Sequence, residues 1–103
     1  MYKKISFDEA KNIMDTEENV IIFDVREEEE YITGHAAGAI CFPVGSINAE
    51  TAEQVIPDKN VSIIVYCRSG MRSYAAAKEL ISLGYENIFD IGGLNGWPFG
   101  MEW

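Results

Sequence analysis

Cys67 is the residue with the clearest capacity for chemistry in this chain. It stands in Tyr66-Cys67-Arg68-Ser69-Gly70-Met71-Arg72-Ser73, after the apolar run Ile63-Ile64-Val65 and before the helix-favouring Ala75-Ala76-Ala77-Lys78-Glu79-Leu80. That context puts a thiol where a strand ends and a helix begins. A helix amino end and two flanking arginines both favour the thiolate, which is the nucleophilic form. Ser69 and Gly70 are small enough for a tight curl whose backbone N–H groups point inward as an anion-binding nest. The following helix adds its own free N–H groups. The expected chemistry is attack by Cys67 on an anionic group. Its adduct, such as a persulfide Cys67–S–S⁻, would be held in a ring of donors running from Arg68 to Ser73. Arg68 and Arg72 are placed to neutralise an incoming oxyanion such as a thiosulfonate. The bland alternative is a buried cysteine ending a strand, with the arginines in surface ion pairs. It gives no reason for the small residues and the helix start to gather around the thiol.

A phosphatase is the rival reading of such a loop. Tyrosine phosphatases place an arginine six positions after the cysteine and a histidine before it. Here the sixth position is Ser73, the arginine arrives at Arg72, and Tyr66 precedes the cysteine. A shorter ring suits a sulfur-sized adduct better than a tetrahedral phosphate. The chain offers no obvious general acid matched to that chemistry, Asp90 being the one carboxylate left to weigh.

The elements that must position this loop follow from the pattern. Ser6-Phe7-Asp8-Glu9 reads as a capping box opening a helix with Phe7, Ala10, Ile13 and Met14 on one face. Val20 to Val25 is an apolar run broken only by Asp24, as in a strand buried on both faces. Glu27 to Thr33 reads as a short helix closed by Gly34. Ala39 to Phe42 is a short strand stopped by Pro43, and Ser46 to Val55 is helical. Pro57-Asp58-Lys59-Asn60 is a turn before the strand Val61 to Tyr66. Met71 to Leu83 is the longest helix, ended by Gly84. Asn87 to Ile91 is the last strand, and Gly92-Gly93 turns the chain into Leu94 to Trp97. Strands alternating with helices predict an α/β domain with a mostly parallel sheet of four to five strands and helices on both faces. Ligands of such sheets bind beyond the carboxyl ends of the strands. Asp24-Val25-Arg26, Cys67 and Gly92-Gly93 all fall there.

The totals agree with one domain over residues 1–103. Hydrophobic residues make up 48%, enough for a core of its own. A net charge of −9 argues against nucleic acid and anionic membrane as partners. The stretch from Lys59 to Lys78 nevertheless has no acidic residue and holds Lys59, Arg68, Arg72 and Lys78, half of the eight basic residues. No run is long and apolar enough to span a bilayer. Met1-Tyr2-Lys3-Lys4-Ile5-Ser6 meets Asp8 and Glu9 before an apolar segment forms, which argues against a secretion signal. Two cysteines and one histidine make neither a disulfide framework nor a zinc site. A reducing cytoplasm, with no metal and no cofactor, is the expected setting.

Taken together, the motifs resemble the single-domain rhodaneses, a family of sulfurtransferases. The resemblance spans roughly Ile5 to Trp97. It rests on Asp24-Val25-Arg26, Glu30-Tyr31-Ile32-Thr33-Gly34-His35, Gly38-Ala39-Ile40 followed by Pro43, Cys67-Arg68-Ser69-Gly70-Met71-Arg72-Ser73, and Gly92-Gly93 with Trp97. It implies the rhodanese-like three-layer fold and a ping-pong reaction. Cys67 takes sulfane sulfur from a small anionic donor such as thiosulfate and passes it to cyanide or a thiol, small or on a protein. A carrier or sensor of sulfur for a partner protein is the alternative, since a carrier also needs a reactive cysteine. A phosphatase or arsenate reductase on the same scaffold fits the six-residue loop less well. Cys41 stands where relatives often have asparagine or another residue.

The remaining polar residues are expected in supporting roles. Asp24 and Arg26 stand at the end of a buried strand, where Asp24 must accept bonds from the cysteine loop or pair with an arginine. His35 is expected as a structural residue rather than a base. Glu27 to Glu30 reads as a solvated helix face, with an acceptor-docking surface as the sharper reading. Cys41 is read as a small apolar residue rather than a resolving thiol for Cys67. Trp97 and Trp103 are expected to pack or form a lid.

Overall fold

The five-stranded sheet of the computed structural model, which describes residues 2–103, has every neighbouring pair parallel. Its strands are β1 (Tyr2–Lys4), β2 (Val20–Asp24), β4 (Ile40–Cys41), β5 (Ser62–Cys67) and β6 (Asn87–Gly93), in the order β1-β6-β5-β2-β4. β5 lies at the centre and every residue from Ser62 to Cys67 is buried. The β-branched Ile63-Ile64-Val65 suits that place, because branched side chains pack well on a pleated surface covered from both sides. Helices α3 (Ala49–Val55) and α4 (Met71–Ser82) supply Ala52, Ala76, Ala77 and Leu80 to a core with Phe23, Ile63 and Val65. Helix α1 (Phe7–Thr16) and the segment after β6 cover the opposite face with Ala10, Leu94 and Trp97 against Ile22, Ile64 and Tyr66. This is the three-layer α/β arrangement that the alternating pattern predicts.

Several boundaries differ. The capping box at Ser6 and Glu9 forms as expected. The second helix, α2, is only Glu28–Tyr31, with Glu27 in the capping position. The stretch read as one helix from Ser46 splits into a 3-10 turn, Val44–Ser46, and α3, because Asn48 caps the latter by accepting from the Thr51 N–H. Gly92 and Gly93 do not turn the chain. They continue β6, pairing with Tyr66 and Cys67 beyond a bulge at Ile91. A bulge residue without a partner re-aims the strand, and Gly92 at φ +76° supplies the left-handed backbone that follows it. β1 and a small antiparallel pair, β3 (His35–Ala36) with β7 (Met101–Glu102), are additional to the expected strands. Met1 lies outside the described residues. No helix among the described residues is long and apolar enough to cross a membrane.

Candidate active site

The carboxyl ends of β2, β5 and β6 bring Asp24-Val25-Arg26, Cys67 and Gly92-Gly93 to one edge of the sheet. Cys67 is fully buried, and its Sγ accepts the N–H of Gly70 at 2.9 Å and of Ser73 at 3.3 Å. Gly70 makes this geometry possible by adopting φ +99° immediately before α4. Ser73 lies in the first turn of α4, where backbone N–H groups have no partner within the helix. Burial alone would push the Cys67 thiol up. The Ser73 backbone and hydroxyl, with the N–H groups of Gly70 and Ser69, outweigh it and hold the thiol below its ordinary value. The nest inferred from Ser69 and Gly70 is therefore present around the sulfur.

Replacing Ser73 tests this balance. Ser73→Ala removes the hydroxyl contribution, so the midpoint of iodoacetamide alkylation of Cys67 moves to higher pH. At pH 7 the alkylation rate falls about 3- to 10-fold, the equivalent of one ordinary hydrogen bond. An unmoved midpoint would show that the hydroxyl does not tune the thiol.

The two arginines of the loop have different environments. Arg72 makes a two-pronged ion pair with Glu30 of α2, Nη1 to Oε1 at 2.6 Å and Nη2 to Oε2 at 3.0 Å. Arg68 is exposed and only approaches Glu30, Nε to Oε2 at 3.8 Å. Arg72, expected beside Arg68 to meet an incoming oxyanion, is already paired with a carboxylate. Glu30 likewise is not part of a solvated face: it ties α2 to the cysteine loop. Met71, the first residue of α4, holds its side chain in solvent at 80% exposure.

The Arg72 bonds, opposed by burial and aided by the Glu27 N–H, lower Glu30 to about 2. A carboxylate whose folded value is depressed stabilises the fold above its unfolded value and loses that contribution as pH falls through the folded one. Glu30→Gln is therefore expected to cost about 1–2 kcal/mol at pH 7. It is also expected to flatten the fall in stability between about pH 4.5 and about pH 2. Urea midpoints at pH 5 and pH 3 measure both. Equal slopes in the two proteins would refute the coupling.

Asp24 pairs with an arginine, one of its two expected partners, and that arginine is Arg26. Asp24 has no exposed surface and accepts from Arg26 Nη2 at 2.6 Å, from Arg26 Nε and backbone N–H, and from the Tyr66 hydroxyl at 2.7 Å. The same hydroxyl accepts the Ala36 N–H, and Arg26 Nη2 reaches the Gly34 carbonyl at 2.8 Å. The network joins β2 and β5 to the segment carrying β3, but Asp24 makes no bond to the residues after Cys67. Asp90 has its oxygens engaged by the Tyr2 hydroxyl and the Gly92 N–H. His35 stacks on Tyr31 with ring centroids 3.7 Å apart and sets Nδ1 3.0 Å from the Tyr31 carbonyl. Cys41 lies two strands from Cys67, roughly 10 Å at ordinary strand spacing, beyond disulfide reach. Both cysteines are free. Trp97 packs edge-on against Phe7 and Phe99, whereas Trp103 is exposed and does not pack as expected.

Two contacts of the site have no signal in local sequence. Gly93 lies so close to the loop that a Cβ there would fall 2.4 Å from the Arg68 carbonyl oxygen. A Cβ on Gly92 would meet Lys4 Nζ at 3.0 Å, which places a further cation of β1 beside the site. Lys4 comes from a strand that the pattern did not show.

Comparison with known proteins agrees with this geometry. The family described as the rhodanese-like domain matches residues 6–98. The thiosulfate sulfurtransferase GlpE of Coxiella burnetii is 32% identical over 98 residues, covering 94% of this chain and 88% of that protein. The thiosulfate sulfurtransferase PspE of Escherichia coli is 39% identical over 71 residues, 69% of this chain and 67% of that protein. The putative sulfur carrier protein YrkF of Bacillus subtilis is 32% identical, and the chain spans only 46% of its length. Among solved structures, a rhodanese from E. coli with anions aligns with a TM-score of 0.74 at 32% identity, covering 81% of this chain and 96% of that one. The Alr3790 protein from Anabaena aligns at 0.85 with 26% identity, over 95% and 90%. With the match spanning all three layers and the cysteine loop, the chain belongs to the rhodanese-like domain family.

Proposed function

We propose that this domain is a sulfurtransferase that moves sulfane sulfur through a persulfide on Cys67. The observation carrying the reading is the Sγ of Cys67, lowered in pKa and facing the backbone N–H groups of Gly70 and Ser73. Its relatives named thiosulfate sulfurtransferase support thiosulfate as a donor. The thiolate attacks the sulfane sulfur, the sulfur–sulfur bond of thiosulfate breaks, and the electron pair leaves with sulfite. Cyanide or a thiol then takes the outer sulfur, and the electron pair of the Cys67–sulfur bond returns to Sγ. Between the two steps the persulfide carries one negative charge, which the nest and the positive end of α4 stabilise. Arg68 provides the open cation for the donor, and Arg72, held by Glu30, shapes the loop. Two free cysteines suit a reducing, cytoplasmic setting.

A carrier is the second reading, favoured by the complete burial of Cys67 and by the similarity to a putative sulfur carrier. One experiment separates the two. The protein is incubated with thiosulfate, its mass is measured, and cyanide is then added with assay of thiocyanate. A gain of one sulfur atom, absent from Cys67→Ala, with repeated thiocyanate release marks the enzyme. The same gain with a single release marks the carrier. No gain, or an equal gain in Cys67→Ala, overturns the persulfide reading.

A further inference from the structure

Glu30 reaches both arginines of the cysteine loop, and its carboxylate is firmly held. Oε1 accepts the Glu27 N–H at 3.1 Å and Arg72 Nη1 at 2.6 Å, while Oε2 accepts Arg72 Nη2 at 3.0 Å. Oε2 also stands 3.8 Å from Arg68 Nε. Arg68 follows Cys67 in the chain, and Arg72 precedes Ser73, whose N–H donates to Sγ. One carboxylate therefore lies between the two cations that flank the nucleophile. Its side chain remains 24% exposed, so it borders solvent at the rim of the loop.

The charges around the sulfur cancel once the thiolate is counted. Arg26 is paired with Asp24, and Lys4 stands opposite Asp90 in the β1–β6 register. Arg68 and Arg72 are left against Glu30 and the Cys67 thiolate. The start of α4 adds about half a positive charge. Arg72 is held above its ordinary pKa first by the Glu30 bonds, against the opposing effect of burial, and then by the charges of Glu30 and Cys67. Thiolate, guanidinium and carboxylate thus form one electrostatic unit. An arriving anion meets no net attraction there. The repulsion that Glu30 exerts on it grows in proportion to its charge, so a dianion suffers twice what a monoanion does.

We infer that Glu30 sets the donor preference of this loop, disfavouring dianionic thiosulfate relative to singly charged organic thiosulfonates, R–SO2–S⁻. Glu30 is a specificity-determining residue that acts by its charge and does not touch the reacting atoms. With both prongs of Arg72 taken up by Glu30, an oxyanion must displace a carboxylate fixed by its own helix before it can use that guanidinium. Arg68 alone stays open, and one cation matches a single charge. The inference rests on the sulfur-transfer reading above. In the step itself, the Cys67 thiolate attacks the terminal sulfur of R–SO2–S⁻. The sulfur–sulfur bond breaks, its electron pair leaves with the sulfinate R–SO2⁻, and the persulfide Cys67–S–S⁻ remains.

The test compares thiosulfate with methanethiosulfonate as donors at low ionic strength, with cyanide as acceptor and thiocyanate release as the readout. Glu30→Gln removes the charge, whereas Glu30→Asp keeps it on a shorter arm. The ratio of kcat/KM for thiosulfate to that for methanethiosulfonate is expected to rise about threefold in Glu30→Gln. In Glu30→Asp it is expected to stay within about 1.5-fold of wild type. Taking the ratio cancels any loosening of the loop that slows both donors alike. The rise is expected to shrink when salt is raised to about 0.5 M, where exposed charges are screened. An unchanged ratio in Glu30→Gln, or an equal rise in Glu30→Asp, overturns the inference. Failure of the sulfur-transfer reading is separable. If neither donor forms a persulfide, Cys67 is alkylated with iodoacetate and with iodoacetamide, which differ by one negative charge. A rise of about threefold in the iodoacetate-to-iodoacetamide rate ratio in Glu30→Gln supports the charge gate. An unmoved ratio refutes it.

Discussion

Gly93→Ala is expected to lower kcat/KM for sulfur transfer about 100-fold and the melting temperature by about 5–15 °C. The added Cβ would stand 2.4 Å from the Arg68 carbonyl oxygen. That atom is backbone, so no side-chain rotation relieves the contact. Either β6 must move away from β5 at the Cys67–Gly93 pair, or the loop must shift outward from Arg68 onward. Both movements disturb the N–H groups of Gly70 and Ser73 that hold Sγ. Displacements near 1 Å in a reacting geometry cost about two orders of magnitude in rate, and overpacking of this kind costs about 1–3 kcal/mol. Restricting the unfolded chain returns only about 0.4–1 kcal/mol, so the net change is destabilising. Gly45→Ala is the matched control, because a Cβ there meets nothing within 4 Å. It is expected to change stability by less than about 0.5 kcal/mol. Thermal melts and thiosulfate–cyanide kinetics on both variants measure the difference. A Gly93→Ala protein with wild-type kinetics would show that the loop is not fixed by β6.

The legibility of this site in the sequence followed the range of its interactions. Cys67, Ser69, Gly70 and Ser73 lie within one strand-to-helix junction, so residue type and spacing sufficed to anticipate the nest. Asp24 at the end of an apolar strand demanded a partner on energetic grounds, and Arg26 two residues later supplied it. Glu30 and Arg72 are 42 residues apart, and nothing local marks either as half of a pair. Glu30 therefore reads as one more solvated acid. The glycines misled for a different reason. Glycine punctuates turns, yet Gly93 is needed for a close approach between neighbouring strands. β1, β3 and β7 have two or three residues each, too few to show a period of two. β1 moreover carries two lysines, which suit an edge strand but not the apolar pattern of a buried one. The parallel strands β2 and β5 were legible because both of their faces are covered and their sequences are almost wholly apolar.

Asp24→Ala is expected to remove about 3–5 kcal/mol of stability, the largest loss for a single change outside the loop. For a domain whose total is about 5–15 kcal/mol, that is a large share. Asp24 has no exposed surface, and its removal leaves Arg26 Nε and the Tyr66 hydroxyl without their acceptor and Arg26 Nη2 with the Gly34 carbonyl alone. A buried guanidinium without its counter-charge is the costly part. Replacing the pair together behaves differently, since a buried ion pair exchanged for packed apolar groups is often neutral. Asp24→Leu combined with Arg26→Met is therefore expected to recover most of the stability lost in Asp24→Ala. Urea unfolding at pH 7 gives the comparison. A double variant no more stable than Asp24→Ala would show that the pair stabilises the fold beyond compensating its own burial.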